Sequence, residues 1–444
     1  MKWIAANLCS PGLLAFRIEM KYSQHPWFRP RHYLHFDRPV CLQAALQFVS
    51  DPLKIAQHSF YPFISFTVTS QKIKFDHKIN RVVRKPPKKR PISYAAHLDS
   101  HIYAYYSSML SAVYESKLAA AGLGKCVLAF RALNKSNIHF AKDAFDEIIK
   151  RGDCHAIALD VKGFFDNLDH NILKKSWSDM LGMERLPNDH YAVFKSIARY
   201  SSVDKIQLYE LLGISNNNPK RYRNRVCEPD DFRNIVRSSG IIKSNKNNGI
   251  PQGSPISALL SNLYMFDFDL AVNEFVENLG GKYLRYCDDM LLIVNSSDAA
   301  AVKLFVHDKI NELKLIIQDE KTEERIFKLK DGVCTTVKPL QYLGFLFDGQ
   351  NIFLRSASLA RYSDRMRRGV KLAKATMDKS NKRRMERGEL EKPLFKRKLY
   401  KRYSYLGRRN FISYGYRSAE IMNSESIRKQ LKPLWHRLKL SADI

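Results

Sequence analysis

Two short apolar segments that end in aspartate constrain the fold of this chain more than any other feature. The first, residues 154–160, reads C-H-A-I-A-L-D, and an apolar run of this length is typical of a buried strand. The second is Tyr286-Cys287-Asp288-Asp289, which has apolar residues on both sides. Two apolar strands joined by an acidic turn predict a β-hairpin with carboxylates at its tip. Asp160 and Asp288 would then project from two separate, rigid elements.

A glycine-rich turn lies between these two segments in the sequence. Residues 249–257 read G-I-P-Q-G-S-P-I-S and lead into an apolar helix, with Ser254 expected as its N-cap and Pro255 as its first residue. A lone acidic turn arises by chance and usually faces solvent. The order of acidic strand, glycine-rich turn and acidic hairpin weighs strongly against that interpretation here.

Carboxylates in this arrangement suit chemistry at phosphate groups. Two Mg²⁺ ions about 3.5–4 Å apart can activate a 3′-hydroxyl and stabilise a leaving pyrophosphate. Mg²⁺ takes oxygen ligands and is typically held by one or two carboxylates together with substrate phosphates. We therefore expect Asp160 and Asp288 to hold two Mg²⁺ ions, with Mn²⁺ as an alternative ion. The nearby Asp166 and Asp169 are expected to start a helix instead.

The net charge of the chain indicates a polyanionic partner. Lys and Arg number 74 against 44 Asp and Glu, a net charge of +30 over 444 residues. A membrane partner is disfavoured, because no apolar stretch reaches the roughly 18 residues of a spanning helix. The apolar run within residues 1–20 is interrupted, and we expect a buried element there, not a signal peptide. The seven cysteines include no C-x-x-C pair, so we expect neither disulfides nor a zinc site. The same pattern predicts a reducing, cytoplasmic location.

Much of this charge lies in two segments. Residues 84–90 read R-K-P-P-K-K-R, and their prolines predict an extended or looped backbone. Residues 355–444 contain 26 Lys or Arg and 8 Asp or Glu, a net charge of +18. Their interleaved basic and aromatic side chains can pair with phosphates and stack on unpaired bases, or can form a helix with an apolar back and a solvated basic front. The residues expected to contact nucleic acid there are Lys398, Arg402, Tyr403 and Arg408.

These motifs together resemble those of bacterial reverse transcriptases, the class that includes group II intron, retron and defence-associated enzymes. D-V-K-G-F-F-D-N-L-D-H, G-I-P-Q-G-S-P-I-S and R-Y-C-D-D-M are similar to three successive blocks of that family. Residues 319–322 (D-E-K-T) and 341–345 (Q-Y-L-G-F) resemble two weaker blocks. The resemblance covers roughly residues 80–350 and implies an α+β right-hand polymerase. Its fingers and palm would combine an antiparallel sheet with helices, and its thumb would be helical.

The resemblance also implies where the domains begin and end. An N-terminal extension and the start of the fingers would occupy residues 1–80, and the fingers would continue over 81–155. The palm would span 156–350, with a fingers insertion at about 175–248. Residues 351–444 would form the basic helical thumb. The Asn- and Arg-rich composition between Gly213 and Gly249 fits such an insertion.

Single residues receive roles from the same resemblance. Asp160 and Asp288 would be metal ligands, with Asp289 as an auxiliary carboxylate of the metal site. The ring of Phe165 would collide with a ribose 2′-hydroxyl and so select deoxynucleotides. The other implied contacts are Gln252 and Val161 at the incoming nucleotide, Arg90 at its triphosphate, Lys321 as a proton donor near the pyrophosphate, and Gly344 in a turn that grips the primer.

These features predict an RNA-directed DNA polymerase that uses two Mg²⁺ ions to copy an RNA template into nascent DNA from deoxynucleoside triphosphates. The chain lacks the V-T-G triplet of retrons and shows no maturase, endonuclease or ribonuclease H segment. It therefore resembles stand-alone defence-associated enzymes, whose template would be a dedicated noncoding RNA in anti-phage defence. Template-independent or protein-primed synthesis, a retron or group II intron-type role outside defence, and a nucleic-acid-binding protein with an inactive palm stay open. Phe165 argues against RNA synthesis, and the sequence leaves the oligomeric state open.

Overall fold

The computed structural model of the chain describes residues 25–70, 73–76, 81–84, 86–245 and 248–443. The buried element expected within residues 1–20, and Lys85 of the basic segment, lie outside the described residues. The helices are α1 (Leu42–Val49), α2 (Pro52–Ala56), α3 (His97–Ala120), α4 (Asn137–Arg151), α5 (His170–Leu181), α6 (Asn188–Ala198), α7 (Lys205–Leu211), α8 (Pro229–Asp231), α9 (Ser257–Tyr264), α10 (Phe266–Asn278), α11 (Ala299–Glu312), α12 (Ser356–Met385), α13 (Lys396–Tyr403), α14 (Phe411–Ile421) and α15 (Glu425–Asp443).

The strands form four sheets within the described residues. They are β1 (Phe63–Ser70), β2 (Ile73–Asp76), β3 (Arg81–Arg84), β4 (Lys88–Tyr94), β5 (Cys154–Asp160), β6 (Ser201–Asp204), β7 (Lys243–Ser244), β8 (Lys282–Tyr286), β9 (Asp289–Val294), β10 (Glu323–Lys330), β11 (Val333–Thr336), β12 (Leu340–Tyr342), β13 (Phe345–Phe347) and β14 (Ile352–Leu354). The mixture of helices and mainly antiparallel sheets confirms the expected α+β class.

A five-stranded antiparallel sheet, in the order β11-β10-β5-β9-β8, carries both acidic motifs. Alternate residues of its middle strands point to opposite faces, as the strand period requires. Ile157 and Leu292 pack into a core cluster that also contains α10 and α11. Ala156 and Leu291 pack into a second cluster with α4 and the C-terminal helices. Both faces are covered, which explains why these strands are almost wholly apolar.

A second sheet contains the basic segment that precedes the acidic motifs. Its strand order is β4-β1-β6-β7, with β1 and β6 parallel and the other pairs antiparallel. Residues 88–90 begin β4, so the expectation of an extended backbone is confirmed for them. Pro91 continues the strand opposite Thr67. Proline is tolerated there because β4 lies at the edge of the sheet, where one side of the strand needs no donor.

The C-terminal region is helical, and its long helix has an apolar back. Tyr362, Met366 and Val370 are the buried residues of the first half of α12, and their spacing of four places them on one face. They belong to the cluster that also contains α15 and the sheet β12-β13-β14. Basic residues occupy half of the exposed positions of α12. The apolar back and the basic front expected from the sequence therefore occur on the same helix.

Two local predictions have different outcomes. The helical pattern over residues 97–123 is confirmed by α3, which ends at Ala120. The N-cap prediction for Ser254 is wrong, because α9 begins at Ser257 and Ile256 takes the N-cap position. The Ser257 hydroxyl donates to the Pro251 carbonyl at 2.7 Å, and the Ser257 amide donates to Ser254 at 3.3 Å. An extra turn therefore precedes the helix. None of the described helices is long and apolar enough to cross a membrane.

Candidate active site

The acidic strand and the acidic hairpin meet at one edge of the five-stranded sheet. β5 ends at Asp160, which lies directly opposite Asp289 in the antiparallel register with β9. Asp289 also pairs with Tyr286 across the hairpin, so Cys287 and Asp288 form a two-residue turn. The amide of Val161 approaches the Asp288 carbonyl at 3.4 Å. The predicted carboxylate-tipped hairpin is confirmed, and the three aspartates belong to adjacent backbone segments.

A buried ion pair supports the tip of this hairpin from below. Arg285 and Asp269 both have fully buried side chains, and the Arg285 Nε donates to Asp269 at 2.6 Å. A second Arg285 nitrogen donates to the Cys287 carbonyl at 3.1 Å, within the turn itself. Cys287 adopts a left-handed backbone with φ of 61°, which is uncommon for a residue with a side chain. The sequence interpretation missed this pair, although an arginine inside a short apolar strand was a visible signal.

The electrostatics of the carboxylate site favour a bound cation. The surrounding protein raises the pKa of Asp289 to about 7 by displacing water, although part of its side chain contacts solvent. The nearby charges of Asp288 and Asp160 raise this pKa further, and Lys321 and Arg355 oppose them. Three carboxylates this close repel one another, so a cation between them lowers the energy of the charged state.

The side chain of Lys321 reaches the carboxylate site. Its ammonium group forms an ion pair with the Asp160 carboxylate. Lys321 ends a short 3-10 turn over Asp319–Lys321, and the amide of Gln318 just before this turn donates to the Asp160 carbonyl at 2.8 Å. The backbone therefore fixes the Lys321 segment against the end of β5, and the flexible side chain supplies the charge.

The three aspartates fit divalent ions in ligand chemistry, although they do not form a closed cage. Within the part of the chain that the structure describes, no group of three or more His, Cys, Asp or Glu side chains is arranged as a preformed metal centre. The Asp160 carboxylate is paired with the Lys321 ammonium group in this structure. Mg²⁺ sites in enzymes that act on phosphates use one or two carboxylates and complete their shell with substrate oxygens. Asp160 and Asp288 can supply such carboxylates, with Asp289 beside them.

The glycine-rich turn is held against two other segments by close backbone contacts. Gly249 has φ of 85°, and a Cβ there would lie 2.5 Å from the Asp166 carbonyl oxygen. Gly253 has φ of 111°, and a Cβ there would lie 2.5 Å from the Ser93 carbonyl oxygen. The Ser93 amide donates to the Gln252 carbonyl at 2.7 Å. Only glycine permits both approaches, and they fix Gln252 beside β4, the strand that carries the exposed Arg90.

The two phenylalanines after Asp160 are separated by burial. Phe164 is buried in the core, whereas Phe165 is partly exposed. Their ring centroids are 5.5 Å apart, and the Phe165 carbonyl accepts a hydrogen bond of 2.9 Å from Ile250 in the glycine-rich turn. The structure thus brings Phe165 next to the turn that carries Gln252. The Val161 side chain is buried, which leaves only its backbone for contact with a nucleotide.

The turn at Gly344 is fixed by a residue from a distant helix. Leu343 and Gly344 connect β12 to β13 with φ values of 44° and 94°, so both adopt left-handed conformations. Asn137, the first residue of α4, donates from Nδ2 to the Leu343 carbonyl at 3.0 Å and to the Tyr414 hydroxyl at 2.9 Å. The Arg355 amide donates to the Gly344 carbonyl at 3.3 Å. The turn therefore joins the sheet to the C-terminal helices.

A cavity of about 970 Å³ between α12 and residues 402–414 is lined by several arginines. We call it the arginine groove and define it by Arg361, Arg365, Arg368, Arg402 and Arg409. Desolvation, with the charges of Arg355 and Arg365, lowers the pKa of Arg361. Arg355 acts electrostatically on both Asp289 and Arg361, so positive charge runs from the carboxylate site to the groove. The sequence interpretation missed Arg355 and the arginines of α12 as individual residues.

The four C-terminal residues that were expected to contact nucleic acid have different surroundings in the structure. Arg402 lines the groove. Lys398 and Arg408 are exposed but lie outside its lining. Tyr403 is only 9% exposed, and it packs so closely against Gly369 of α12 that a Cβ at that glycine would overlap its ring. Most of its ring therefore packs between helices, and the remainder lines the arginine groove beside Arg402.

The chain was compared with protein families, curated proteins and solved structures. A family model described as reverse transcriptase (RNA-dependent DNA polymerase) matches residues 83–347, which is more than half of the chain. A search of curated proteins found no match. Among solved structures, apo telomerase from Candida tropicalis without its C-terminal domain matches at 14% identity and a TM-score of 0.38, over 66% of this chain and 57% of that one. Telomerase from Candida albicans with a telomeric RNA fragment matches at 11% identity and a TM-score of 0.40, over 90% and 65%. The chain spans less than two thirds of either telomerase.

Proposed function

Because the chain belongs to the reverse transcriptase family, an enzyme class of RNA-directed DNA polymerases, we propose that it adds deoxynucleotides to a 3′-hydroxyl at Asp160 and Asp288. The observation that carries the proposal is the position of Asp160 directly opposite Asp289, with Asp288 in the adjoining turn. Two Mg²⁺ ions, when bound by these carboxylates, would activate the hydroxyl and stabilise the pyrophosphate. Mn²⁺ is the alternative ion.

The other residues of the site have supporting roles in this proposal. Phe165 lies next to the glycine-rich turn, and Gln252 lies within it. We assign Phe165 to the sugar of the incoming deoxynucleotide and Gln252 to its base or phosphate side. Lys321 already contacts the Asp160 carboxylate, so only a short movement of its flexible side chain would bring its proton to a leaving pyrophosphate. Arg90 is exposed on the adjoining edge strand and would meet the triphosphate.

The domain assignment follows the same reasoning. The acidic sheet and the glycine-rich turn would form the palm over residues 156–350, and β1 and β4 would belong to the fingers. The helices after residue 350 would form the thumb, with the arginine groove along the template–primer duplex. The positive charge between Asp289 and Arg361 supports this route for a nucleic-acid backbone.

Primer extension on an RNA template with Mg²⁺ and deoxynucleotides tests the assignment of the carboxylates. We expect Asp160→Asn and Asp288→Asn to lower the extension rate by more than about 100-fold, because changes in the outer shell of a metal site alone cost about 10- to 100-fold. Binding of RNA should survive in both variants, since neither aspartate lies in the basic segments.

Asp331→Asn is the matched control, because it removes one carboxylate in the exposed turn between β10 and β11. Its extension rate should equal that of the unaltered chain. Extension that persists in Asp160→Asn or Asp288→Asn would refute the metal assignment.

We further propose that the template is a dedicated noncoding RNA and that the enzyme acts in bacterial anti-phage defence. The support is elimination: the chain has no V-T-G triplet of retrons, and residues 337–339 read V-K-P instead. Sequencing the RNA that copurifies with the protein, together with DNA made from it, identifies template and product. A mixture of cellular RNAs without an enriched species would contradict a dedicated template.

A further inference from the structure

A long loop between α7 and α8 has the composition of a nucleic-acid-binding segment but lies outside the candidate active site. Residues 215–225 read S-N-N-N-P-K-R-Y-R-N-R, with four Lys or Arg, four Asn and no Asp or Glu. We call this segment the Tyr222 loop. Connections of this length without secondary structure are uncommon and are usually functional or disordered. The hydrogen bonds and burial at its two ends distinguish these alternatives.

Both ends of the Tyr222 loop are fixed to the core. Ile214 is buried, and its amide donates to the Tyr209 carbonyl at 2.8 Å. Val226 is fully buried, and its amide donates to the His35 carbonyl at 2.7 Å. Within the loop, the Lys220 ammonium group donates to the His32 carbonyl. The loop is therefore held in place at both ends and near its middle.

The tip of the loop presents an aromatic ring to solvent. Tyr222 is 91% exposed, which is the largest exposure of any aromatic side chain among the described residues. Its φ of 59° lies in the left-handed region, where a bulky residue is rarely found. The guanidinium group of Arg221 lies 5.1 Å from the ring centroid. Neither Arg221 nor Arg223 has a carboxylate partner among the described ion pairs, so both charges remain available to an anion.

We propose that the Tyr222 loop binds single-stranded RNA, with the Tyr222 ring stacked on an unpaired base and Arg221 and Arg223 paired with the flanking phosphates. A ring on an accessible tip can stack on any base, and neighbouring arginines neutralise the backbone. A base within a duplex is already stacked and paired, so the ring should bind a single strand in preference to a duplex. The loop would be a second RNA contact, separate from the carboxylate site.

The position of the loop favours template RNA as the occupant. Its ends pack in the cluster that includes Ile64 of β1 and Val203 of β6, and β1 is the strand that pairs with the basic edge strand β4. The loop and β4 therefore belong to one structural unit. This choice of strand rests on the proposed function, in which the template is single-stranded RNA until it is copied. The copied product is a duplex, which the exposed ring cannot stack on.

Fluorescence anisotropy with a short single-stranded RNA of mixed sequence, and with the blunt duplex of the same sequence, tests the inference. We expect Tyr222→Ala to weaken single-strand binding about tenfold, the effect of losing one stacked base, and to leave duplex binding unchanged. Tyr222→Phe keeps the ring and should bind like the unaltered chain. Arg221→Ala should weaken both, whereas Arg233→Ala, an exposed arginine already paired with Asp230, should weaken neither.

Primer extension on a preformed template–primer separates this inference from the proposed function. If extension is absent but Tyr222→Ala still loses single-strand binding selectively, the loop inference stands and the proposed function fails. Unchanged single-strand binding in Tyr222→Ala, or equal losses for single strand and duplex, would overturn the inference. As a second readout, cross-linking of 4-thiouridine RNA should label the peptide that contains Tyr222, and labelling elsewhere only would contradict it.

Discussion

The carboxylate site and the arginine groove differ in how their charged side chains are supported. At the carboxylate site, three aspartates lie on segments whose turn is supported by the fully buried Arg285. In the groove, the arginines stand on exposed surfaces, and among the described ion pairs only Arg368 has a carboxylate partner, Asp364. A fixed turn suits chemistry at one atom, whereas adaptable cations suit a backbone whose phosphates repeat.

This difference predicts how each region tolerates change. Removing one buried charge leaves its partner unpaired in a medium of low dielectric, which is costly. Removing one exposed arginine lowers the local positive potential only slightly, because the neighbouring cations remain. A single substitution should therefore damage the carboxylate site, whereas the groove should weaken in proportion to the number of charges removed.

The largest expected effect follows from removing Arg285. Arg285→Met keeps a long side chain but leaves the buried Asp269 without its cation, and it also removes the donor to the Cys287 carbonyl. We expect the free energy of unfolding to fall by about 3–5 kcal/mol, the usual cost of breaking a buried ion pair. Thermal and urea unfolding measure this change directly.

Two further variants establish its cause. Arg233→Met removes an exposed arginine whose side chain is 61% accessible, and it should change stability by less than about 0.5 kcal/mol. The double variant Arg285→Met, Asp269→Leu removes both charges and should recover part of the lost stability. If Arg285→Met is as stable as the unaltered chain, the turn does not depend on this ion pair.

The same contrast explains how much of the molecule could be predicted. The strand ending at Asp160 and the hairpin at Asp288 follow from apolar runs that stop at acidic residues, a signal local to the sequence. The pairing of Arg285 with Asp269 could not be predicted, because the partners are sixteen residues apart on different elements and only tertiary packing brings them together. Tyr403 was expected to contact nucleic acid because basic and aromatic residues alternate there. The sequence does not show which way the ring points.

The capping error at Ser254 has a similar origin. Serine followed by proline is a common helix start, and the pattern predicted one there. The Ser254 hydroxyl is instead buried and has no hydrogen-bond partner among the described residues. Close contacts between the glycine-rich turn and the Asp166 and Ser93 carbonyls move the helix start to Ser257. These tertiary contacts override the local preference for a helix start at Ser254, and the sequence pattern does not show them.

The groove should respond to substitution in graded steps. Changing Arg365, Arg402 and Arg409 to Gln, singly and together, should weaken binding of an RNA–DNA duplex by a few fold per arginine. If each arginine contacts one phosphate, the triple variant should lower the slope of log affinity against log salt by about 2.7, since each phosphate contact contributes about 0.9. Titrations at several salt concentrations measure both quantities.

A matched set of cations lies elsewhere in the same region. Lys429, Lys432 and Arg437 are exposed on α15 and do not line the groove. Changing these three to Gln removes the same charge, yet the salt slope should fall by less than half as much as in the groove variant. Equal falls for the two sets would mean that the charge acts only as a general field, and that the groove is not the path of the duplex.

The smallest expected effect concerns the link between the turn at Gly344 and the arginine groove. Asn137 donates to the Leu343 carbonyl next to Gly344 and to the hydroxyl of Tyr414, which lines the groove. Asn137→Ala removes both hydrogen bonds, each worth about 1 kcal/mol to the fold. We expect about half of their combined energy to be lost in binding, so the affinity for a primed template should fall about fivefold. The extension rate at saturating substrate should change little, because the aspartates are untouched.

A double-mutant cycle shows whether Asn137 acts through Tyr414. Tyr414→Phe removes only the hydroxyl, so the loss from Asn137→Ala should be smaller in that background, with a coupling of about 0.5 kcal/mol. Fully additive losses would mean that the turn at Gly344 and the groove bind the primed template independently. A coupling of the expected size would mean that the turn at Gly344 also positions the arginine groove, so that the two bind the primed template as one surface.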